Sequence, residues 1–211
     1  AVGNGVNGMA VGDSVVVTLI RSCGTCPSCA GGKPTVCETS YDGDRGPIKT
    51  ADGEKLHQAM ATGGFAEKVV VDQRQLVKIS HDIPKDAASL IACGVITGVG
   101  AVINAANLRA GQDVVVIGAG GVGLNAIQGA RIAGARRIVA VDMSEEKLAI
   151  AKEFGATHGV LATAEKPWRA SYKALGGRGA EAVIVTVGAI PAYEDAPKYL
   201  GRGGKVIMVG M

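Results

Sequence analysis

The feature that most constrains the fold of this chain is an apolar run that leads directly into a glycine-rich turn. Residues 113–117 (DVVVI) have the composition of a buried strand, and residues 122–133 have the pattern of an amphipathic helix. The turn between them has the spacing G-x-G-x-x-G and comprises Gly118, Gly120, Gly121, Val122 and Gly123. A strand, a glycine turn and a helix in this order predict the first unit of a parallel sheet that binds a dinucleotide at its edge.

The glycines have separate tasks in such a unit. Gly118 permits the tight turn, Gly120 lets a pyrophosphate approach the backbone, and Gly123 allows the helix to pack closely on the strand. The free N–H groups at the start of the helix then face the phosphates. In a chain with 32 glycines the hexapeptide alone is weak evidence, and the alternative is a plain glycine turn beside a surface aspartate.

Asp142 supplies the context that favours a dinucleotide. It lies at the end of the next apolar run, 19 residues beyond Gly123. A carboxylate at this position accepts hydrogen bonds from the ribose hydroxyls of adenosine. It would repel a 2′-phosphate, and the residues that follow, Met143 and Ser144, provide no arginine to compensate. The pattern therefore favours NAD over NADP.

Beyond residue 111 the chain alternates short apolar runs with amphipathic segments. The predicted strands are residues 113–117, 137–141, 159–161, 182–186 and 205–209. The predicted helices are residues 122–133, 145–154, 166–175 and 193–200. Apolar runs too short for helices, alternating with amphipathic segments, indicate an α/β fold with a parallel sheet covered on both faces. We therefore predict a doubly wound parallel Rossmann sheet, partial, with five strands.

The first 80 residues have a different pattern, in which the segments are short and β-rich. We predict strands at residues 15–20, 66–71 and 76–79, and an exposed polar stretch at residues 41–54. Helical patterns follow at residues 85–91 and 96–106. The change of pattern indicates a domain boundary near residues 85–95, and we place it between residues 92 and 93.

Four cysteines in the β-rich part form the spacing C-x₂-C-x₂-C-x₇-C. They are Cys23, Cys26, Cys29 and Cys37, and the loop that carries them contains Gly24 and Pro27. Four thiolates can surround one zinc ion as a closed tetrahedral site, which leaves no position for water or substrate. Disulfides between cysteines three residues apart are geometrically awkward. An iron–sulfur cluster remains chemically open for four thiolates. The spacing favours a structural zinc.

Composition excludes several other classes of protein. The formal charge of +3 is dispersed, and the aromatic content of 3% provides no stacking platform, so nucleic acid is not an expected partner. No apolar run approaches the roughly 18–20 residues that a membrane span requires, and no secretory signal is recognisable. Clustered cysteines indicate a reducing compartment, and we expect a cytoplasmic protein.

Taken together, these motifs resemble the zinc-containing medium-chain alcohol dehydrogenases across essentially the whole chain. The resemblance includes the cysteine cluster, the glycine turn and a Gly64-Phe65-Ala66-Glu67 strand entry. It also includes Cys93 in the pattern A-C-G-x-x-T-G-x-G, and Lys147 five residues after Asp142. It implies that residues 1–92 are the C-terminal part of a GroES-like catalytic domain with a zinc loop, and that residues 93–211 are a truncated NAD-binding domain.

The resemblance also implies roles for individual residues. Cys93 corresponds to one ligand of a second, catalytic zinc, and Thr97 to a position beside the nicotinamide. A cysteine in an apolar stretch is by itself more often a small core residue, and only the surrounding pattern changes that interpretation. The positions that correspond to cofactor contacts are Lys147 at the adenosine ribose and Thr186, Val187, Val209 and Gly210 at the strand ends. Phe65 corresponds to a wall of the substrate pocket.

The family's remaining catalytic ligands, a Cys and a His, have no counterpart here. His57, His81 and His158 have the sequence context of ordinary surface or packing histidines. The chain begins without Met and stops directly after a strand-like run, so we expect a piece of a longer protein. The 211 residues alone are expected neither to hold catalytic zinc tightly nor to oxidise alcohol. The resemblance implies a homodimer or homotetramer for the complete protein, acting on a small alcohol or aldehyde. The alternative is a non-catalytic homologue that retains structural zinc and partial NAD binding.

Overall fold

A computed structural model describes residues 1–40 and 48–210 of the chain. The chain forms two compact units, Ala1–Cys93 and Gly94–Met211. The sequence placed the boundary between residues 92 and 93. The first part of the predicted polar stretch, residues 41–47, lies outside the described residues.

The first unit contains a small antiparallel sheet. Strand β1 (Val15–Val17) pairs with β2 (Leu76–Lys78), and Val16 lies opposite Val77. Both strands are shorter than predicted. The prediction of a strand at residues 66–71 is wrong, because this segment pairs with no other strand among the described residues. The Val70 carbonyl instead accepts a hydrogen bond of 2.8 Å from the amide side chain of Gln58, which is buried.

A continuous helical segment runs through residues Lys85–Ala106. It comprises α2 (Lys85–Leu90), a π-helical turn (Ile91–Val95), α3 (Ile96–Gly100) and a second π-helical stretch (Ala101–Ala106). Contrary to the sequence expectation, its 22 residues are long and apolar enough to cross a membrane by length and composition alone. Within this segment Ala88, Gly98, Ala101, Val102 and Ala106 are buried, and the other residues are partly or fully exposed.

The second unit is built on a five-stranded sheet with the order β5-β4-β3-β6-β7, in which every neighbouring pair is parallel. The strands are β3 (Asp113–Ile117), β4 (Arg137–Asp142), β5 (His158–Leu161), β6 (Ala180–Val185) and β7 (Leu200–Met208). The predicted parallel Rossmann sheet is therefore confirmed. Its order places β3, which carries the glycine turn, between β4 and β6.

Helices connect these strands. They are α4 (Gly121–Ile132), α5 (Glu145–Glu153), α6 (Pro167–Ala174) and α7 (Ile190–Asp195). Helix α5 begins where the Ser144 side chain accepts a hydrogen bond from the Lys147 N–H, as an N-cap does. The last helix differs from the predicted range of residues 193–200. It starts earlier, with Pro191 in its first turn, and continues as a 3₁₀ turn (Ala196–Tyr199) before Leu200 enters β7.

Both faces of the sheet are buried, which explains the unbroken apolar runs. Val114 and Val116 of β3 pack in one core with side chains of α4 and α5. Val115 and Ile117 pack in a second core on the opposite face, together with Leu175 and Tyr199. Successive side chains of a strand point to opposite faces, so a strand buried on both sides is apolar at every position.

The amino end of β3 is held by a buried charge. Asp113 is 1% exposed and forms a bidentate pair with Arg136, with distances of 3.0 Å from Nε to Oδ1 and 2.6 Å from Nη2 to Oδ2. This hydrogen bonding raises the pKa of the Arg136 guanidinium above its usual value. The backbone N–H of Asp113 donates to Glu181 on β6 at 2.7 Å. Arg137, the first residue of β4, also lies 3.6 Å from the Asp113 carboxylate. The amino ends of β4, β3 and β6 are thus joined, at the end of the sheet opposite the glycine turn.

Candidate functional site

The four clustered cysteines converge on one point. All four sulfur atoms of Cys23, Cys26, Cys29 and Cys37 lie within 4.8 Å of one another. The Sγ atoms of Cys23 and Cys29 are 4.0 Å apart, as are those of Cys26 and Cys37. A tetrahedral site with Zn–S bonds of about 2.3 Å has sulfurs about 3.8 Å apart. The arrangement therefore fits a zinc ion, and four sulfurs close its coordination.

Backbone N–H groups stabilise the sulfurs of this zinc loop. The sulfur of Cys23 accepts from the N–H groups of Thr25 and Cys26 at 3.3 and 3.2 Å, and the sulfur of Cys37 accepts from the Cys23 N–H at 3.3 Å. A hydrogen bond from the Thr39 side chain, with these N–H donors, lowers the pKa of Cys23 to about 5. Burial raises the pKa of Cys29 to about 11. A bound cation offsets that burial cost, because a coordinating thiol is deprotonated by the metal.

The sequence explains why the loop folds in this way. Cys26 caps a one-turn helix α1 (Pro27–Ala30), and Pro27 has the fixed φ that suits the first helical position. Glu38, directly after the last cysteine, accepts hydrogen bonds from the N–H and the hydroxyl of Ser28 at 3.1 and 2.6 Å. The segment that follows Cys37 is thus joined to α1 independently of the metal.

The predicted catalytic-zinc ligand has no partners within the described part of the chain. Cys93 is exposed in the π-helical turn Ile91–Val95, and Thr97 follows one turn later on the same helix. The four-cysteine cluster is the one group of three or more potential ligands that residues 1–40 and 48–210 bring together. His57, His81 and His158 are all exposed. The described residues therefore do not form a second zinc site by themselves.

The glycine turn after β3 has an open side and a closed side. Gly118 has a φ of +97°, which glycine adopts without strain. Gly123 lies so close to the Gly118 carbonyl that any Cβ there would overlap it. Gly120 and Gly121 border open space, with no heavy atom within 4 Å of where a Cβ would stand. The open side coincides with the start of α4, where Val122 also lies and where no side chain of the described residues caps the helix. The first N–H groups of a helix have no partner within the helix itself. This cradle fits a pyrophosphate.

Asp142 is joined to this turn by a hydrogen bond. Its Oδ2 atom accepts from the Ala119 N–H at 2.8 Å, and its Oδ1 atom accepts from the Ser144 N–H at 3.0 Å. Each carboxylate oxygen retains a second lone pair for a ribose hydroxyl. Lys147 is exposed in the first turn of α5, the helix that begins beside Asp142. Sequence reasoning missed Ala119, whose contribution is a backbone N–H that no side-chain pattern reveals.

The other predicted cofactor residues gather at the same edge. The Thr186 hydroxyl lies 3.0 Å from the carbonyl oxygens of both Ile117 and Gly118, and its one hydrogen is shared between them. Val187 packs against Gly118, and Gly210 lies directly against the Val187 backbone. The Val209 N–H donates to the Val185 carbonyl at 2.9 Å. Thr186 and Val187 therefore contact the glycine turn, and Val209 and Gly210 lie beside them at the carboxyl ends of β6 and β7.

Two further aromatic residues have contrasting positions. The Tyr193 hydroxyl donates to the Gly210 carbonyl and so holds the end of β7, a contact that its place in a predicted helix could not reveal. Phe65, the predicted wall of a substrate pocket, is fully exposed in the first unit. The role of Phe65 in a substrate pocket stays a prediction.

Two family profiles match this chain. The alcohol dehydrogenase GroES-like domain matches residues 1–81, and the zinc-binding dehydrogenase family matches residues 121–211. The first match contains the zinc loop. The second begins inside the glycine turn and includes Asp142 and the strand ends of β6 and β7.

Curated relatives and solved structures agree with these profiles. A putative alcohol dehydrogenase D from Mycobacterium tuberculosis is 36% identical over all of this chain and 59% of its own length. An NDMA-dependent alcohol dehydrogenase from Amycolatopsis methanolica is 37% identical, over 100% of this chain and 58% of its own. An alcohol dehydrogenase zinc-binding domain protein from Burkholderia ambifaria superimposes with a TM-score of 0.90 at 34% identity, over 100% of this chain and 59% of its own.

Benzyl alcohol dehydrogenase from Acinetobacter calcoaceticus superimposes with a TM-score of 0.87 at 30% identity, covering 100% of this chain and 58% of its own. The chain thus spans about three fifths of the length of the relatives that it matches. The GroES-like profile precedes the zinc-binding dehydrogenase profile along this chain, and both solved structures superimpose over its whole length. The chain belongs to the zinc-containing medium-chain alcohol dehydrogenase family.

Proposed function

We propose that this chain is the structural-zinc and NAD-binding portion of an oxidoreductase that transfers hydride between an alcohol or aldehyde and NAD(H). One observation carries the proposal. The Asp142 carboxylate, which would bind ribose, is hydrogen-bonded at 2.8 Å to the turn whose open side would hold the pyrophosphate. The two recognition elements for one dinucleotide are therefore fixed relative to each other.

The residues of the second unit have distinct tasks in this proposal. The N–H groups at the start of α4 hold the pyrophosphate, next to the open side of Gly120 and Gly121. Asp142 accepts hydrogen bonds from the adenosine ribose and excludes a 2′-phosphate by charge. Lys147 lies within the first turn of the neighbouring helix and supports the same ribose. Thr186, Val187, Val209 and Gly210 form the floor of the crevice toward the nicotinamide.

The reaction itself requires a second zinc. We propose Cys93 as one of its ligands and Thr97 as a contact of the nicotinamide, because both match the family's pattern on one helix. A zinc ion with an open coordination position lowers the pKa of a bound alcohol and polarises the carbonyl of the product. The remaining ligands are not found among the described residues.

The substrate class, the assembly and the location are also proposals. We infer a small-molecule alcohol or aldehyde, in keeping with relatives such as the benzyl alcohol dehydrogenase. The resemblance favours a homodimer or homotetramer without nucleic acid or membrane partners. Four thiol ligands favour a reducing cytoplasm.

Cofactor titration tests the proposal. NADH fluorescence should change on binding, and NADH should bind at least about tenfold more tightly than NADPH, since like charges placed together cost several kcal/mol. The complete protein, of which we expect this chain to be a part, should also form NADH from NAD and an alcohol once zinc is supplied. Absence of NADH binding, or equal affinity for NADPH, would contradict the cofactor assignment.

A second candidate function is supported by the isolation of Cys93 among the described residues. It is a non-catalytic homologue that keeps the structural zinc and binds NAD. Metal analysis of the encoded protein separates the two functions. Two zinc ions per chain with turnover support the dehydrogenase, and one zinc ion with NADH binding but no turnover supports the non-catalytic protein.

A further inference from the structure

One peptide unit of the glycine turn is held from both sides. The carbonyl of Gly118 and the N–H of Ala119 belong to the same planar trans peptide, so they point in opposite directions. The carbonyl accepts from the Thr186 hydroxyl at 3.0 Å, and the N–H donates to the Asp142 carboxylate at 2.8 Å. A side chain therefore fixes each edge of this peptide plane.

The strand order explains this arrangement. Strands β4 and β6 flank β3, and all three run parallel. Asp142 is the last residue of β4, and Thr186 directly follows β6, so both reach the turn from its two neighbours. Both residues are half-buried rather than exposed to bulk water. Thr186 is also hydrogen-bonded to β3 through its backbone, because its N–H donates to the Ile117 carbonyl at 2.9 Å.

The two carbonyls that Thr186 contacts do not depend on it equally. The Ile117 carbonyl also accepts from the Thr186 backbone N–H. Within residues 1–40 and 48–210, the Thr186 hydroxyl is the only hydrogen-bond donor to the Gly118 carbonyl oxygen. The Gly123 backbone closes the other approach to that oxygen. Loss of the hydroxyl would therefore leave a carbonyl of a buried residue without a partner, which costs more than the bond itself contributes.

Rotation of this peptide would affect dinucleotide binding. Gly118 lies in the left-handed region and has no Cβ, so its backbone resists rotation less than that of any other residue type. Rotation would withdraw the Ala119 N–H from Asp142, and it would move the N–H groups of the following residues at the start of α4. The carboxylate and the phosphate cradle are thus oriented by the same peptide.

We propose that Thr186 is a positioning residue for the dinucleotide, whose hydroxyl locks the Gly118–Ala119 peptide and thereby orients Asp142 and the phosphate-binding N–H groups. The inference rests on the proposed NAD-binding function and deepens it. It differs from a simple crevice-lining role, because the hydroxyl acts on the adenosine and pyrophosphate half of the cofactor and not on the nicotinamide.

Two substitutions with two ligands test this inference in the full chain. Thr186→Val keeps the shape of the side chain and removes the hydroxyl, whereas Thr186→Ser keeps the hydroxyl. Thr186→Val should weaken the binding of NADH and of ADP-ribose, which lacks nicotinamide, by the same factor of about three to ten. Thr186→Ser, which retains the hydroxyl, should bind both ligands more tightly than Thr186→Val does. Calorimetry or fluorescence titration measures the affinities, and thermal melting confirms folding.

Several outcomes would overturn the inference. They are a loss for NADH alone, which indicates a nicotinamide contact, no loss for either ligand, or an equal loss in Thr186→Ser. If Thr186→Val does not fold, Thr186→Ala removes the hydroxyl with less bulk and gives the same comparison.

A measurement without cofactor separates this inference from the proposed function. Amide hydrogen exchange of the segment at residues 118–124 should be about three to ten times faster in Thr186→Val than in the natural chain, because the locked peptide opens more often. Equal exchange would overturn the lock even if NADH binds. Suppose instead that exchange is faster in Thr186→Val but the natural chain binds no NADH. That result would support the lock and refute the NAD-binding function.

Discussion

Gly120 and Gly123 are three residues apart in one turn, yet at the residue scale they have different surroundings. A Cβ at Gly123 would overlap the Gly118 carbonyl, whereas a Cβ at Gly120 would meet nothing within 4 Å. Gly120 also has a φ of −82°, which other residues adopt freely. Glycine at position 123 is thus required by packing within the turn. Glycine at position 120 is not required by packing, so a requirement for it there would come from a ligand on the open side.

We expect Gly123→Ala and Gly120→Ala to have different effects. Gly123→Ala should lower the free energy of unfolding by about 1–3 kcal/mol, because the turn must move to admit the methyl group. Gly120→Ala should leave the free energy of unfolding within about 0.5 kcal/mol of the natural chain, yet weaken NADH binding at least about tenfold. Urea unfolding and NADH titration measure the two effects. Normal NADH affinity in Gly120→Ala would contradict pyrophosphate binding at the open side.

The buried carboxylate of Asp113 gives a second residue-scale prediction. Asp113→Asn removes the charge that pairs with Arg136, and it should lower the free energy of unfolding by about 1–3 kcal/mol, since the guanidinium remains half-exposed to water. The matched control is Glu165→Gln at a surface pair with Lys166, which should change stability by less than about 0.5 kcal/mol. Denaturant unfolding measures both, and equal effects would show that burial of Asp113 is irrelevant.

At the scale of elements, α3 (Ile96–Gly100) and α4 approach each other most closely at Gly98 of α3, and again where Gly129 of α4 faces Val99. A Cβ at Gly98 would overlap the Val122 carbonyl and lie 2.7 Å from the Ala126 nitrogen. Gly100 lies two residues further along α3, and a Cβ there would come no closer than 3.8 Å to the Asn104 side chain. Because Gly98 has no side chain, its backbone lies directly against α4. The distance between the two helices therefore depends on glycine at this position.

Two alanine substitutions in α3 should therefore have opposite effects. Gly98→Ala should destabilise the fold by about 1–3 kcal/mol, because α3 and α4 must separate. Gly100→Ala should be neutral or stabilise by about 0.5 kcal/mol, because alanine favours a helix and has room here. Thermal or urea unfolding of both variants provides the measurement. Stabilisation by Gly98→Ala would refute the close approach.

At the scale of the whole molecule, the two units differ in what stabilises them. The second unit has two apolar cores, one on each face of its sheet. In the first unit, Ala88 is the one buried apolar side chain among the described residues, and the sheet has two short strands. Small structures with little core commonly depend on metal or disulfide cross-links. The zinc loop is therefore expected to contribute strongly to the stability of the first unit.

Metal counting gives the whole-molecule prediction. The 211-residue chain should bind one zinc ion, retain it in Cys93→Ser, and lose it in Cys26→Ser, because only the second change removes one of four converging sulfurs. Elemental analysis after dialysis measures the zinc content. Two zinc ions in the natural chain and one in Cys93→Ser would place a second metal at Cys93 and contradict the expectation that these residues alone do not hold it.

Much of this architecture could be predicted from local patterns. The residues of β3 match the predicted range, and β4, α4 and α5 differ from theirs by one residue at the ends. These elements have strong local signals, because runs buried on two faces are wholly apolar and Ser144 caps its helix. The strand expected at residues 66–71 had an apolar pattern but no partner. Its backbone is held by Gln58, which no periodicity could indicate.

The sequence by itself determined which atoms are available for chemistry: four sulfurs, a glycine turn and one carboxylate. Spacing alone brought the cysteines to one point, because a short loop leaves their sulfurs few other arrangements. The tertiary structure alone decided how the glycine turn is oriented. Strand order places Asp142 and Thr186 on either side of the turn, although they are 44 residues apart in sequence. Hydrogen bonds across a sheet depend on which strands become neighbours, and that is settled by packing rather than by residue type.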